Sequence, residues 1–515
     1  MESVSQNKDT TMLSKLKSTA KSSFIYGIGN LSTKLIGLIL LPLYTRVLPV
    51  GEFGMLAMLE TTSQILITLF GLSLYNAFLR WYWEKEYSEL RKSLFFTVLV
   101  FLTFVVALMA VSLISTSKTL ATFLLNNSQD YQLIRLMVIT AALEILGVLP
   151  FTLMRVQERP VLFISSNILK FSVNLGLTIF FIVGLKHRIE GIYEAQIIGN
   201  IVFFLFISKF VRSNTEAKFN RKVLGEMLTF SMPLVFASIA GIFLNLTDRY
   251  AIKFINGLDE LGSYQFGFKI ANAIKVIVLN SVSFALTPIV YRIINEPGSK
   301  RFYSKILTYM GFGVMIIVMA VSFYGKEISM IFADKKEYWS AYPIIPVLAF
   351  GLFFSSLRDA VYTGLNITKK TKITAAIIIT VSILNIALNV TFIYLFNSMG
   401  AAIATALSQL FYLVLVWKFS QKYFFIPYEL TKILKIFVTG VILSVIAAVA
   451  NRLSLIPAIL IKFILIIAFP FILYFWNFFE QIELERLQGL WIKWKNPKKW
   501  LNNIKSQKQD SDSQE

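Results

Sequence analysis

The sequence predicts an all-α polytopic membrane protein, and three observations carry that expectation. The 515 residues are 56% hydrophobic and only 15% charged, with a mean hydropathy of +0.66, too little polar surface to cover a chain of this size in water. Apolar runs of about 20 residues, the length one helix needs to cross the hydrocarbon core, recur along the chain. The charged residues gather in the short segments between those runs, which is what membrane topology produces. The net charge of +21 is therefore topological and not the footprint of a nucleic-acid binder.

The elements follow in order. Residues 1–22 form a polar, basic arm with no small-residue cleavage site, expected to stay cytoplasmic with a short interfacial helix around Met12–Lys21. Spans at 23–45, 54–79, 93–115, 133–154, 160–184 and 190–211 make a first lobe over 23–212. The linker 213–223 separates it from a second lobe, 224–420, with spans 224–247, 261–291, 306–325, 341–364, 373–396 and 400–419. Two further helices, 431–450 and 456–478, fill 421–480 and bring the expectation to about 14 transmembrane helices. Trp and Lys alternate at the start of the tail 481–515, which suits a membrane surface, and its acidic Ser/Gln-rich end suits disorder. An even helix number puts both termini on one side, and the loop Lys and Arg make that side cytoplasmic.

Several functions are excluded. The chain has no cysteine and a single histidine, His187, so no disulfide, Cys-ligated metal or His-based metal site is expected. There is no G-x-x-x-x-G-K-[ST], no H-E-x-x-H and no means of assembling a Ser-His-Asp set. No catalytic residue, metal or cofactor is called for, and any energy input has to come from an ion gradient, the membrane potential or a substrate gradient.

The chain repeats itself. TRVLPVGEFG (45–54) has an echo in DRYAIKFINGLDELG (248–262), each placing an Arg at a helix end, then a turn, an acidic residue and a Gly opening the next helix. NLGLTIFFIV…GIYEA (174–195) parallels NVTFIYLF…GAAIA (389–404). Both echoes are in register with six-helix halves, so the halves are a parallel repeat about an axis along the membrane normal, an architecture that places the site between the lobes.

Ionisable groups inside a span face a cavity or a partner. The candidates are Lys34, Glu60, Glu144, Lys170, Lys269, Lys275, Arg358 and Asp359, five basic and three acidic. At about 100° per residue, Lys269, Asn272, Lys275, Asn280, Ser283 and Thr287 form one polar stripe. Asn30, Lys34, Gly37 and Tyr44 share a face of the first helix, Glu60, Gln64 and Thr68 one of the second, and Ser355, Arg358, Asp359 and Tyr362 one of the tenth. Four polar helix faces are expected to line one water-filled cavity whose basic excess favours an anion, with Lys269, Lys275 and Arg358 as the leading ligands. Structural pairing is the competing reading, Lys34 with Glu60 and Lys170 with Glu144, and Asp359 is the acid beside Arg358; the acids are otherwise candidates for ion coupling. Arg46, Arg80 and Arg249 lie at expected helix ends, where snorkelling competes with function.

LPLYTRVLPVGEFGMLAM (41–58) and GLSLYNAFLRWY (71–82) resemble the polysaccharide repeat-unit exporters, lipid-linked oligosaccharide flippases that share a superfamily with multidrug and toxin extrusion transporters and the peptidoglycan-precursor flippase. The resemblance implies a two-lobed bundle alternating between inward- and outward-open states in a bacterial inner membrane. Its implied cargo is a polyprenyl-pyrophosphate-linked oligosaccharide for O-antigen, lipopolysaccharide or similar surface polysaccharide, with a polysaccharide polymerase and chain-length proteins as partners. It implies that Lys34, Arg46, Arg80, Arg249, Lys269 and Lys275 meet the pyrophosphate. The alternatives are an ion-coupled drug or cation exporter of the same superfamily and, from another class, a membrane-embedded polymerase or ligase, which needs larger external loops than 116–132 and 326–340.

Overall fold

The computed structural model describes residues 37–275, 290, 293–294 and 296–485. The N-terminal arm, Asn30, Lys34, the lower stripe residues Asn280, Ser283 and Thr287, and the tail from 486 lie outside the described residues. Among the described residues all regular structure is helical, and eleven helices are long and apolar enough to cross a membrane. One of these, Thr371–Tyr423, is two spans joined at Asn397, whose φ of 52° and ψ of −138° are not helical. The chain is an all-α polytopic membrane protein.

In the first half the helices are α1 (Leu41–Val47), α2 (Val50–Phe70), α3 (Leu74–Trp83), α4 (Arg91–Ser115), α5 (Ser117–Leu125), α6 (Tyr131–Val156), α7 (Pro160–Ile179) and α8 (Ile189–Ser213). In the second they are α9 (Arg221–Asn256), α10 (Leu258–Ile274), α11 (Ser299–Phe323), α12 (Gly325–Phe332), α13 (Ile344–Val361), α14 (Thr363–Ile367) and α15 (Thr371–Tyr423), followed by α16 (Leu430–Ala450) and α17 (Leu455–Phe475). The repeat is visible in these bounds: α4 and α11 are both 25 residues long, and each is followed after one residue by a short helix, α5 or α12.

Two expected spans change shape. The second, 54–79, is broken into α2 and α3 at Gly71–Ser73, where Leu72 and Ser73 take φ of 50° and 49°. Left-handed backbone at non-glycine residues costs about 1 kcal/mol each, and nothing in a Leu-Ser pair announces it. The seventh, expected to stop at 247, continues to Asn256; its 36 residues span about 54 Å at 1.5 Å per residue, so Arg249 is not a helix end.

Lipid is the solvent of the outer surface. On α17 the side chains of Ile456, Leu460, Phe463, Ile464 and Phe471 are exposed, an apolar area that water would not tolerate. Lys462 on the same helix is fully buried, its Nζ 2.5 Å from Glu327 Oε1 of α12. Opposite, at the foot of α11, Lys305 binds Glu429 at 3.0 Å and Glu483 at 3.1 Å and also Glu480. Burial alone would push the Glu429 carboxyl up, but bonds from Thr308, Lys305 and Lys432 outweigh it and hold the group at about 2.

The two halves meet where the repeated turns lie. A Cβ at Gly54 would overlap the Leu258 carbonyl, and a Cβ at Gly262 would overlap the Val50 carbonyl, so α2 and α10 cross backbone on backbone, each through the other's glycine. The second echo behaves alike: Gly191 abuts Phe181, and Gly400 abuts the Phe392 carbonyl. Glu52 and Glu260 occupy matching places as well. Glu52 binds Arg188, ahead of α8; Glu260 accepts the Ser398 amide at 3.0 Å, at the break in α15. Around this crossing Tyr338 Oη donates to Leu48 O at 3.0 Å and Thr45 Oγ1 to Phe332 O at 2.6 Å. One large apolar cluster runs through the contact, joining Phe53 and Leu56 to Leu261, Tyr264 and Phe266.

Candidate functional site

Away from that crossing the halves separate around a cavity of about 1180 Å³. The i, i+4 spacing of Glu60, Gln64 and Thr68 puts all three on its wall from α2. Lys269 and Asn272 enter from α10 and Lys275 from its C-terminal cap, Ser238, Asn245, Asp248 and Arg249 from α9, Ser355 from α13, and Thr405 and Gln409 from α15. The left-handed break supplies Gly71 and Ser73, and Gly37 stands for the first helix. Polar faces from helices of both halves thus meet at one space.

Four of the charges on its wall form two pairs. Lys269 Nζ lies 3.1 Å from Glu60 Oε1, a bond between the halves, with its ammonium 5.2 Å from the Phe53 ring centre. Arg249, only 3% exposed, binds Asp248 Oδ1 at 2.7 Å and the Asn245 carbonyl at 2.7 Å, and its guanidinium lies 3.9 Å above the Phe268 ring. Tyr264 donates its hydroxyl to the other Asp248 oxygen. Such a pair is costly to desolvate and costlier to break, because either partner alone would be a buried, uncompensated charge. A multivalent anion is the ligand that could draw both bases away from their carboxylates, since Arg and Lys make charge-assisted bonds to phosphate oxygens.

The comparisons with known proteins fit this geometry. The family model described as polysaccharide biosynthesis protein matches residues 19–294, more than half of the chain. The chain belongs to the polysaccharide biosynthesis protein family. A second model, MatE, matches residues 233–391. An uncharacterized membrane protein of Methanocaldococcus jannaschii is 22% identical over 232 residues, which span 44% of this chain and 44% of that relative. Among solved structures, the lipid II flippase MurJ in an inward closed conformation superposes with TM-score 0.71 at 16% identity, covering 88% of this chain and 99% of that one. A variant of the Vibrio cholerae MATE transporter VcmN gives TM-score 0.57 at 17% identity, covering 80% and 98%. An inward-facing multidrug resistance MATE family transporter of the MOP superfamily also gives 0.57, at 14% identity, covering 78% and 92%. At these identities the structures establish a shared fold.

In this family member the residues singled out from the sequence fall into three groups. Glu60, Arg249, Lys269 and Lys275 line the cavity. Arg358 stands just behind the wall, donating to Gln409 at 2.7 Å and Ser355 at 3.0 Å, both lining residues, and to Asp359 at 2.6 Å. The third group lies elsewhere. Arg46 is on the closed end, 72% exposed and 2.7 Å from Asp334. Arg80 ends α3 beside Glu84 at 3.1 Å, its guanidinium 4.9 Å from the Phe230 ring. Glu144 and Lys170 pair at 2.7 Å within the first half, with Asn200 adding a bond to Glu144 at 3.2 Å.

The sequence reading missed Asp248, Asn245, Gln265 and Gln409. Asp248 was within reach: a span carried past 247 would have placed an Asp-Arg pair inside it. Gln409 and Gln265 are uncharged and follow other polar residues, Ser408 and Tyr264, so a search for charges within spans passes over them; the packing of α15 and α10 turns them toward the space.

Proposed function

We propose that this chain is a transporter that flips a polyprenyl-pyrophosphate-linked oligosaccharide from the cytoplasmic to the outer leaflet, for surface polysaccharide synthesis, without covalent chemistry of its own. The observation that carries the reading is the cavity between the halves, with Lys269, Lys275 and Arg249 on its wall and its closure at one end by the Gly54–Gly262 crossing. With both termini cytoplasmic in a bacterial inner membrane, the closed end is the outer one. Loading then has a mechanical consequence. A pyrophosphate competes with Glu60 for Lys269, and Lys269–Glu60 is a tie between the halves; the arriving anion loosens the closed end as it binds. The displaced carboxylate is then open to a coupling ion, a route by which an ion gradient resets the cycle. Arg46, bonded to Asp334 of the other half, acts in this scheme at the outer gate, and Arg358 holds the wall through Gln409 and Ser355.

The test uses purified protein in liposomes with a fluorescent polyprenyl-pyrophosphate sugar, with and without a proton or sodium gradient. Inner-to-outer movement in the wild type that is lost in Lys269→Ala/Lys275→Ala is the expected result. One observation favours a second reading, an ion-coupled exporter of cationic drugs: Glu60 and Asp248 put carboxylates on the same wall. Efflux of a cationic dye with no movement of the lipid-linked sugar would establish that reading and overturn the first.

A further inference from the structure

A second concavity, of about 1220 Å³, lies at the helix ends of the first half and shares no lining residue with the central one. We propose that it binds the phosphate headgroup of an anionic phospholipid from the surrounding leaflet. Arg91, Lys92 and Arg159 line it, with Glu158 the single acid among its lining residues. Among the described residues none of the three bases has a carboxylate within 4.0 Å.

Arg91 is already set in place. Its Nε donates to the Tyr82 carbonyl at 3.0 Å, and its guanidinium stacks 4.8 Å from the Tyr82 ring and 5.5 Å from that of Trp83. Its two terminal nitrogens have no acceptor among the described residues, so the fork is held by its stem with its tip unspent. Gln157 Nε2 donates to Asn214 Oδ1 at 2.6 Å, tying the end of α6 to the end of α8 across the floor. Lys92 and Arg159 are exposed at the rim. Three cations outnumber the one acid on the wall and are bonded to no carboxylate among the described residues, so they repel one another, and a phosphate relieves that repulsion while accepting bonds from all of them.

Depth identifies the source of the phosphate. Arg91 opens α4, Val156 closes α6, Pro160 opens α7 and Ser213 closes α8, and each of those helices belongs to a candidate membrane span. The concavity therefore lies at the level of one headgroup layer. Its lip is amphipathic: Trp83 is 60% exposed and Val161 79% exposed, the arrangement that seats an interfacial aromatic and leaves apolar surface for acyl chains. A soluble phosphate would use the bases but not the lip.

The experiment is native mass spectrometry of the purified full-length protein with phosphatidylglycerol, phosphatidylcholine or inorganic phosphate, on the wild type and on Lys92→Gln/Arg159→Gln. Both substitutions are at exposed positions, and Lys372→Gln/Lys418→Gln removes the same charge from exposed positions of the second half. The expected result is retention of phosphatidylglycerol over phosphatidylcholine, weakened about tenfold or more in the Lys92/Arg159 variant by loss of charge-assisted bonds, and unchanged in the Lys372/Lys418 variant. Equal weakening in both variants would reduce the effect to overall surface charge. Equal retention of phosphatidylcholine, or displacement of phosphatidylglycerol by millimolar inorganic phosphate, would overturn the lipid site.

Discussion

The central cavity and the helix-end groove use the same bases in opposite ways. In the cavity Arg249 and Lys269 are bonded to carboxylates; in the groove Arg91, Lys92 and Arg159 have none among the described residues. The difference follows from dielectric. A base walled in by apolar helices cannot remain unneutralised without a large desolvation cost, so it carries its own counter-ion. A base at the headgroup layer is hydrated, and its company can be left to the membrane. Pairing is thus a property of the surroundings, and a count of charges within a span overstates how many of them wait for substrate.

The largest expected effect breaks a pair in the cavity. Asp248→Asn leaves Arg249 buried without its counter-ion and should destabilise the protein by about 3 kcal/mol. Arg249→Met in the same background should restore most of that loss, as thermal unfolding in detergent would show. Failure of the second substitution to rescue would mean that Asp248 works through Tyr264 instead. Next comes the crossing: Gly54→Ala forces a Cβ into the Leu258 carbonyl and should cost about 1–3 kcal/mol of the closed arrangement. The chain has no cysteine, so one introduced at Thr68 reports on the cavity without background, and it should become more reactive from the side that the crossing closes in the Gly54→Ala protein.

A smaller effect is expected at the foot of α11. Because Glu429 is held at about 2, below the ordinary 4.5, its ionised form stabilises the fold at neutral pH and that contribution fades as pH falls from about 4.5 to 2. The unfolding-temperature advantage of wild type over Glu429→Gln should shrink across that window. The smallest effect belongs to Arg46→Ala, since an ion pair as exposed as Arg46–Asp334 contributes about 0–1 kcal/mol. Stability should hardly change, and a large loss of transport in the same variant would then be a gating effect.

Much of this architecture was legible because lipid imposes simple rules. Expected spans such as 93–115 and 190–211 agree with α4 and α8 within a few residues, since hydrocarbon thickness and the hydropathy edge determine them. Lys269, Lys275 and Glu60 could be placed on the cavity because periodicity alone sets a helix face. What escaped depends on contacts distant in sequence. Lys462 lies within the expected span 456–478 but was not among the charges singled out there, and its partner Glu327 of α12 is far away in the chain. The break at Gly71–Ser73 does carry a glycine, but the left-handed residues are Leu72 and Ser73, which local propensity does not place there. Arg46 and Arg80 were grouped with the cavity bases on resemblance, yet they occupy other surfaces, because a helix-end position does not say which way the end faces.

The Gly54–Gly262 crossing also bears on how such a protein can change over generations. A duplicated chain is generally free to let its copies drift apart, as the residue-by-residue dissimilarity of these halves illustrates. At this point the freedom is lost, since each copy's glycine makes room for the other copy's carbonyl. A side chain acquired by either half is felt at once by its sibling, so the two halves remain answerable to each other at the place where they meet.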